Sequence, residues 1–166
     1  PEVDEVTCAC AYDPDAGGDL TFYFRGADGD TPDAFFALLD DAPRLCAFNG
    51  ARFDLPFLQP RYAIPDARVG RWALKLYDVY EACRLGFDSG FSLNALLAAN
   101  GLDSKTGTGG DAVVLAREGR WDELGAYCRQ DVVKTRAVSC LEAIRLPLKS
   151  GRAVVLGRGG RFAVEP

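Results

Sequence analysis

Before residue 50 the chain carries three short apolar runs separated by turn chemistry, and after it helical patterns take over; that order points to a layered α/β domain. The first run, Val6 to Tyr12, is rich in strand-compatible residues. The stretch from Asp13 to Asp19, with Pro14, Gly17 and Gly18, is turn chemistry. Leu20 to Phe24 reads as a second strand, so the pair predicts an antiparallel hairpin. After a loop from Gly26 to Asp30, Thr31 is placed to cap a helix with Pro32 at its first position and Asp33 in its first turn. That helix carries Phe35, Phe36, Leu38 and Leu39 to about Asp40. Arg44 to Phe48 is a third strand, ended by Asn49-Gly50.

Later segments read mostly as helices. Phe53 to Gln59 is a short one that stops at Pro60, and residues 61–76 carry no decisive pattern. Tyr77 to Leu85 and Ser92 to Ala99 are both helical, the second capped by Ser92 and ended by Asn100-Gly101. A Gly-rich loop precedes a helix from about Asp111 to Arg117. Trp121 to about Ile144 is the strongest helix, with Leu124, Cys128, Val132, Thr135 and Val138 near helical spacing. Residues 147–166 form either a terminal hairpin (Ala153–Leu156 with Arg161–Val164) or an extension whose partner lies elsewhere. The expected division is one domain over residues 1–146 and this extension over 147–166. No internal repeat is visible.

Composition excludes several classes. With 166 residues and 48% hydrophobic content, the chain can build one real core. No apolar run approaches the roughly 18 residues of a membrane span, and no signal peptide opens the chain. It begins at Pro1 and contains no Met, which predicts a processed form or a piece of a longer protein with further domains. The six cysteines include no Cys-x-x-Cys pair and there is no His, so a structural zinc site is not expected. Cys8, Cys46, Cys128 and Cys140 sit in apolar or helical stretches and read as buried, reduced thiols of an intracellular compartment; a disulfide-bonded secreted domain is the alternative. Net charge is −5, but residues 1–60 hold twelve acids against three bases, and residues 61–166 hold twelve against sixteen. An acidic, cation-collecting end beside a basic strip is one reading, and plain solvated surface is the other.

Two short patterns are candidates for chemistry. Asn49-Gly-Ala-Arg-Phe53-Asp54 follows a buried strand, and Asp54 stands inside the apolar stretch Phe53 to Leu58, where a buried carboxylate needs a partner or a metal. A helix-starting cap is the simpler role for it. Tyr127-Cys-Arg-Gln-Asp131 lies on the long helix, and a spacing of four puts the phenol and the carboxylate on one face. The simpler role for Asp131 is a surface charge paired with Lys134 or Arg136.

In context these segments resemble a known family. The strand, Asn-Gly-x-x-Phe-Asp, the helix Ser92-Leu-Asn-Ala-Leu-Leu97, Glu118-Gly-Arg-Trp-Asp-Glu-Leu124 and the Tyr-x-x-x-Asp helix are together similar to the Tyr-bearing branch of the DEDD exonucleases. The closer likeness is to YprB-like ribonuclease H-like domains related to proofreading exonucleases. The resemblance runs from about Glu5 to Leu146 and is most specific from Lys105 to Arg136. It implies an α/β, ribonuclease H-like mixed β-sheet flanked by helices, and 3′→5′ exonuclease chemistry with Mg2+ or Mn2+ as cofactor. It implies that Asp54 and Asp131 are metal-binding, catalytic carboxylates and that Tyr127 orients the attacking water. It implies that Asn49 and Phe53 shape a groove for the single-stranded 3′ end of a nucleic acid.

The family also places an Asp-x-Glu pair on a strand upstream of the segment matching Glu5 to Tyr12, and the sequence has none there. Asp4 and Glu5 are adjacent and point to opposite sides of a strand; Glu2 and Asp4 have the wrong order and place. The N-terminal strand is therefore expected to be missing. Two closely placed divalent ions need several carboxylates to offset their repulsion, so these 166 residues alone are expected to be inactive or nearly so. The competing function is a degenerate nuclease fold kept as a nucleic-acid-binding or docking module.

Two further patterns are weighed and set lower. Gly107-Thr-Gly109-Gly110-Asp-Ala112 matches a loose dinucleotide fingerprint, but loop chemistry precedes it where a strand is required. Arg61, Arg68, Arg71 and Lys75, with Trp72 and Tyr77, form a basic and aromatic strip that either contacts phosphates and bases or simply packs or lies in solvent.

Overall fold

The computed structural model describes residues 6, 8–15, 17–24, 32–84, 90–104, 109–147, 153–157 and 162–164. The predicted Gly26–Asp30 loop, the Thr31 cap, Leu85 and residues 105–108 of the Gly-rich loop lie outside them.

The N-terminal hairpin forms as its pattern predicts. Strands β1 (Cys8–Asp13) and β2 (Gly18–Tyr23) pair antiparallel, from Cys8 opposite Tyr23 to Asp13 opposite Gly18. The Asp13 carboxylate accepts the Asp15 N–H at 2.9 Å, an Asx-type turn. Helix α1 (Pro32–Asp41) buries Phe36, and strand β3 (Leu45–Ala47) follows. Helix α2 (Asp54–Arg61) runs past Pro60 instead of stopping there. Pro60 lies in the last turn, and the helix closes with the Tyr62 N–H donating to the Leu58 carbonyl at 3.1 Å.

The stretch with no decisive sequence pattern contains helix α3 (Asp66–Lys75) and most of strand β4 (Leu76–Asp78). Pro65 at the N-cap, Asp66 in the first turn and Lys75 in the last are ordinary helix-end signals. β4 pairs parallel with β3, Leu45 opposite Leu76 and Ala47 opposite Asp78. This pairing corrects the helix predicted from Tyr77: Tyr77 and Asp78 are strand, and helix α4 is Val79–Arg84. Ladder hydrogen bonds to a distant strand override a local helical pattern.

Helix α5 (Leu93–Ala99) begins as expected, with the Ser92 hydroxyl accepting the Ala95 N–H at 3.1 Å, and Gly101 follows its end at φ +67°. Helix α6 (Gly109–Arg117) leads to helix α7 (Trp121–Ser139). α7 ends short of the predicted Ile144 because residues 143–147 are strand β5 (Ala143–Pro147). β5 pairs with β6 (Ala153–Gly157), and β6 with β7 (Phe162–Val164), both antiparallel. Asn100 ties α5 to this sheet: its amide donates to the Arg145 carbonyl at 2.9 Å and accepts the Arg145 N–H at 2.8 Å.

Two hydrophobic clusters support the layers. One joins Val79, Cys83, Leu93, Leu96, Leu97 and Val138 with Ile144, Leu146, Val154 and Leu156, so β5 and β6 pack into the same core as α4, α5 and α7. The other centres on Phe36, Leu55, Leu58, Ile64 and Trp72 between α1, α2 and α3. Helix α7 packs across β1, β2 and β3. Gly125 permits that approach, since a Cβ there would lie 2.0 Å from the Tyr23 hydroxyl oxygen.

Among the described residues the strands form three separate sheets: β1–β2, β3–β4 and β5–β6–β7. β1 therefore has one side not hydrogen-bonded to another strand, and so has β3, while α7 lies against both. No helix among these residues is long and apolar enough to cross a membrane.

All six cysteines are free thiols. The expectation that Cys8, Cys46, Cys128 and Cys140 are buried is corrected. Cys46 is exposed because it alternates away from Leu45 and Ala47 on β3, Cys140 is exposed just beyond α7, and Cys8 and Cys128 are half-buried.

Candidate functional site

The site is assembled by the turn after β3. Asn49 takes a left-handed φ of +66°, a conformation Asn tolerates better than most residues. Its carbonyl accepts the Phe53 N–H at 3.0 Å, and the Gly50 carbonyl accepts the Leu55 N–H at 2.9 Å. The chain thereby turns directly into α2, with Asp54 in its first turn, where a negative charge suits the helix dipole. Gly50 is a close-approach glycine. A Cβ there would lie 2.8 Å from the Ala47 Cβ and 3.4 Å from Asp54 Oδ2.

Asp78 holds this turn in place. It is the last residue of β4, only 7% exposed, and directly opposite Ala47. Oδ1 accepts the Asn49 N–H at 2.8 Å and Oδ2 accepts the Ala51 N–H at 2.9 Å. Oδ1 also accepts the Tyr80 and Glu81 N–H groups at 3.0 and 3.3 Å, capping α4. An ion pair between Arg52 and Glu81 closes the same corner from outside.

Asp131 comes to this corner from α7, half-buried, and its charge is felt by Asp54. Asp54 keeps a solvent-facing side, yet protein crowds it from behind. Burial first, then the Asp78 charge, then the weaker Asp131 charge push its pKa up to about 6, against a backbone N–H that lowers it. The Asp54 carboxyl thus feels the charges of both Asp78 and, more weakly, Asp131. Tyr127 is one helical turn before Asp131 on α7 and half-buried.

A carboxyl with a raised folded pKa binds more protons folded than unfolded, so it weakens the fold as pH rises from the ordinary Asp value of 3.8 to about 6. Asp54→Asn removes that repulsion. The variant is expected to unfold at higher urea than the parent at roughly pH 7.5, with the difference vanishing below about pH 4. A pH-independent difference between the two midpoints would contradict this.

Phe53 is 63% exposed and stacks parallel on Phe57, with ring centroids 6.0 Å apart and planes 3° from parallel. The Arg61 guanidinium lies over Phe57, 4.7 Å from its centroid. Spacings of four along α2 place the three in one stripe.

Within the basic strip Trp72, Arg68 and Lys75 are tied to the fold, while Arg61, Arg71 and Tyr77 are exposed. Trp72 is fully buried and donates its indole N–H to Asp40 Oδ1 at 2.7 Å, so it is not available to stack on a base. Arg68 donates to Asp40 Oδ2 at 3.0 and 2.6 Å, and this guanidinium holds the Asp40 pKa below its usual value. Lys75 donates to the carbonyls of Asp40 and Ala42, and Arg71 to that of Ala67 in its own helix.

Sequence reasoning missed Asp78, because Tyr77 to Leu85 read as one helix. The available signal was an apolar Leu-Tyr pair ending in Asp just after a helix, the pattern of a short buried strand with a carboxylate at its C-terminal end.

The model of one protein family, described as the RNase_H superfamily, matches residues 4–140. No curated protein and no solved structure matches the chain.

Proposed function

The chain belongs to the RNase H superfamily, and on that premise we propose a metal-dependent 3′→5′ exonuclease-like domain that hydrolyses phosphodiester bonds at the 3′ end of a single nucleic-acid strand. The observation that supports the reading is that the charge of Asp131, in the middle of α7, reaches the carboxyl of Asp54 at the exposed start of α2. A carboxyl whose pKa neighbouring negative charge raises is relieved by a cation, and hard oxygen donors suit Mg2+ or Mn2+. Asp54 and Asp131 would hold the ion, since the Asp78 oxygens are already occupied by four backbone N–H groups. Such an ion, when bound, supplies the positive charge that activates water and stabilises the leaving oxygen.

The chain's own residues do the rest. Asp78 fixes the Asn49–Ala51 turn and so aims Asp54. Tyr127, on the Asp131 face of α7, positions the water. Asn49 is the left-handed corner that lets the backbone pass close to the bound strand, and Phe53 offers a base a stacking surface.

The sequence contains no Asp-x-Glu pair at any position. β1 and β3 each have a side without a strand partner among the described residues, and α7 spans both. We read that interval as the seat of a strand bearing the remaining carboxylates, which leaves these 166 residues inactive or nearly so without it. The test is incubation of 5′-labelled single-stranded DNA and RNA with Mg2+ or Mn2+, using the chain with and without an added Asp-x-Glu strand. Stepwise shortening from the 3′ end is expected only with the strand. Robust degradation by the 166 residues alone, abolished by Asp131→Ala, would refute the inactivity, and no degradation in either case would refute the nuclease.

The exposed Phe53–Phe57–Arg61 stripe favours a second reading, a non-catalytic nucleic-acid-binding module. Phe53→Ala is expected to weaken single-strand binding by about 1–3 kcal/mol, seen by fluorescence anisotropy in chelator. Phe53-dependent binding without hydrolysis in the completed domain would favour the binding module.

A further inference from the structure

A second cluster of ligating side chains lies between β1 and α7. Cys8 and Cys10 are two apart on β1 and so project from one face of the hairpin. Helix α7 lies against β1 and contributes Cys128. The three Sγ atoms all lie within 4.8 Å of one another. None is committed to a disulfide, and all three are half-buried.

The surroundings suit thiolate. Arg129 donates to the Thr21 hydroxyl at 3.0 Å, and that hydroxyl lies 3.5 Å from Cys10 Sγ. A guanidinium held beside a pair of cysteines favours thiolate, the form that ligates a metal.

We propose that Cys8, Cys10 and Cys128 form a three-thiolate site for one zinc ion, clamping the N-terminal hairpin to α7. A tetrahedral ion with Zn–S bonds of about 2.3 Å sets sulfurs about 3.8 Å apart, so the cluster closes on the metal with movements of about 1 Å or less. Three protein thiolates leave the fourth position to water or another small ligand. The absence of Cys-x-x-Cys and of His argues against zinc only when ligands are sought close together in sequence; here two elements far apart in the chain supply them. The site differs in chemistry from the Asp54–Asp131 corner. Soft thiolates select zinc, whereas hard carboxylates select Mg2+ or Mn2+. It stands on the positions of the three sulfurs and does not depend on the nuclease reading.

The test is titration of the fully reduced chain with Co2+ as a chromophoric probe, followed by displacement with Zn2+. A thiolate-to-cobalt charge-transfer band saturating at one ion per chain is expected. Cys10→Ser and Cys128→Ser should each weaken Zn2+ binding by at least about 100-fold. The Cys46→Ser/Cys140→Ser double variant and Asp131→Asn should leave the band unchanged. Because a cysteine variant can misfold, alkylation of the unmodified chain provides a second readout: Zn2+ should shield Cys8, Cys10 and Cys128 while Cys46 and Cys140 still react. No charge-transfer band, a band that survives both Cys10→Ser and Cys128→Ser, or shielding of a different set of thiols would overturn the proposal.

Discussion

In the chain supplied with an Asp-x-Glu strand, Asp131→Asn is expected to lower Mg2+-dependent degradation by about 10³-fold, equivalent to roughly 4 kcal/mol of barrier. The substitution keeps the shape of the side chain and removes one charge. That charge does two things at the corner. On the proposed reading it contributes to holding a divalent ion, and it adds a little to the raised Asp54 pKa. Without it the ion would be held by one carboxylate fewer, while burial and Asp78 still keep the Asp54 pKa raised. Asp54→Asn should cost a similar factor, and the double variant little more, because residues that act as one unit lose their effect together. Tyr127→Phe should cost less, about 10²-fold, since it misplaces the water without removing charge. The measurement is kcat/KM for 3′ trimming as a function of Mn2+ concentration. An Asp131→Asn enzyme within tenfold of the parent at saturating Mn2+ would remove Asp131 from the ion site. Its folding stability, by contrast, should be unchanged or slightly higher, because a like charge beside Asp54 has gone.

The second large effect falls on folding. Asp78→Ala is expected to destabilise the domain by about 3–5 kcal/mol, a large part of what a domain of this size has. Four backbone N–H groups lose their acceptor at once, and those of Asn49 and Ala51 belong to a turn stitched to a strand far away in sequence. The N–H groups of Tyr80 and Glu81 begin α4, which is half-buried, so neither they nor the two in the turn are readily satisfied by water. A cavity adds to the penalty. Chemical denaturation should show a lower midpoint with little change in slope, and heating a midpoint lower by roughly 6–20 °C. Asp78→Asn should fall between parent and Ala, since an amide offers one acceptor oxygen where the carboxylate offers two. A loss below about 1 kcal/mol for Asp78→Ala would show that the turn holds itself.

The positions of Asp54, just after a strand at the start of α2, and of Asp131, four residues from Tyr127 on α7, were legible from local patterns, whereas the roles proposed for them came from the family resemblance and not from spacing. The hairpin, α1, α5 and the start of α7 were legible for a similar reason: turn residues, caps and apolar spacing all agree locally. Asp78 was not. Leu76 to Glu81 suits helix or strand equally, and only β3 decides between them. Trp72 among arginines suits stacking on a base or packing in the fold, and only Asp40, on another helix, settles it as packed by holding its indole. The end of α7 was overrun because Glu142 to Ile144 continues a helical pattern while β6, further along, claims those residues for a sheet. The thiol cluster was hidden in the same way: its members sit on two elements whose contact no local pattern encodes.

The separation of the β1–β2 ribbon from β3–β4 also bears on how this protein behaves in the test tube. Among the described residues each ribbon has a side with no strand partner, whose row of amides and carbonyls a further strand would satisfy. Such a row is a template, and a neighbouring copy offers groups at the matching spacing. Concentrating the isolated chain should therefore drive slow, salt-insensitive polymerisation through backbone pairing. A short peptide that pairs with these edges is expected to keep the preparation monodisperse at concentrations where the chain alone polymerises.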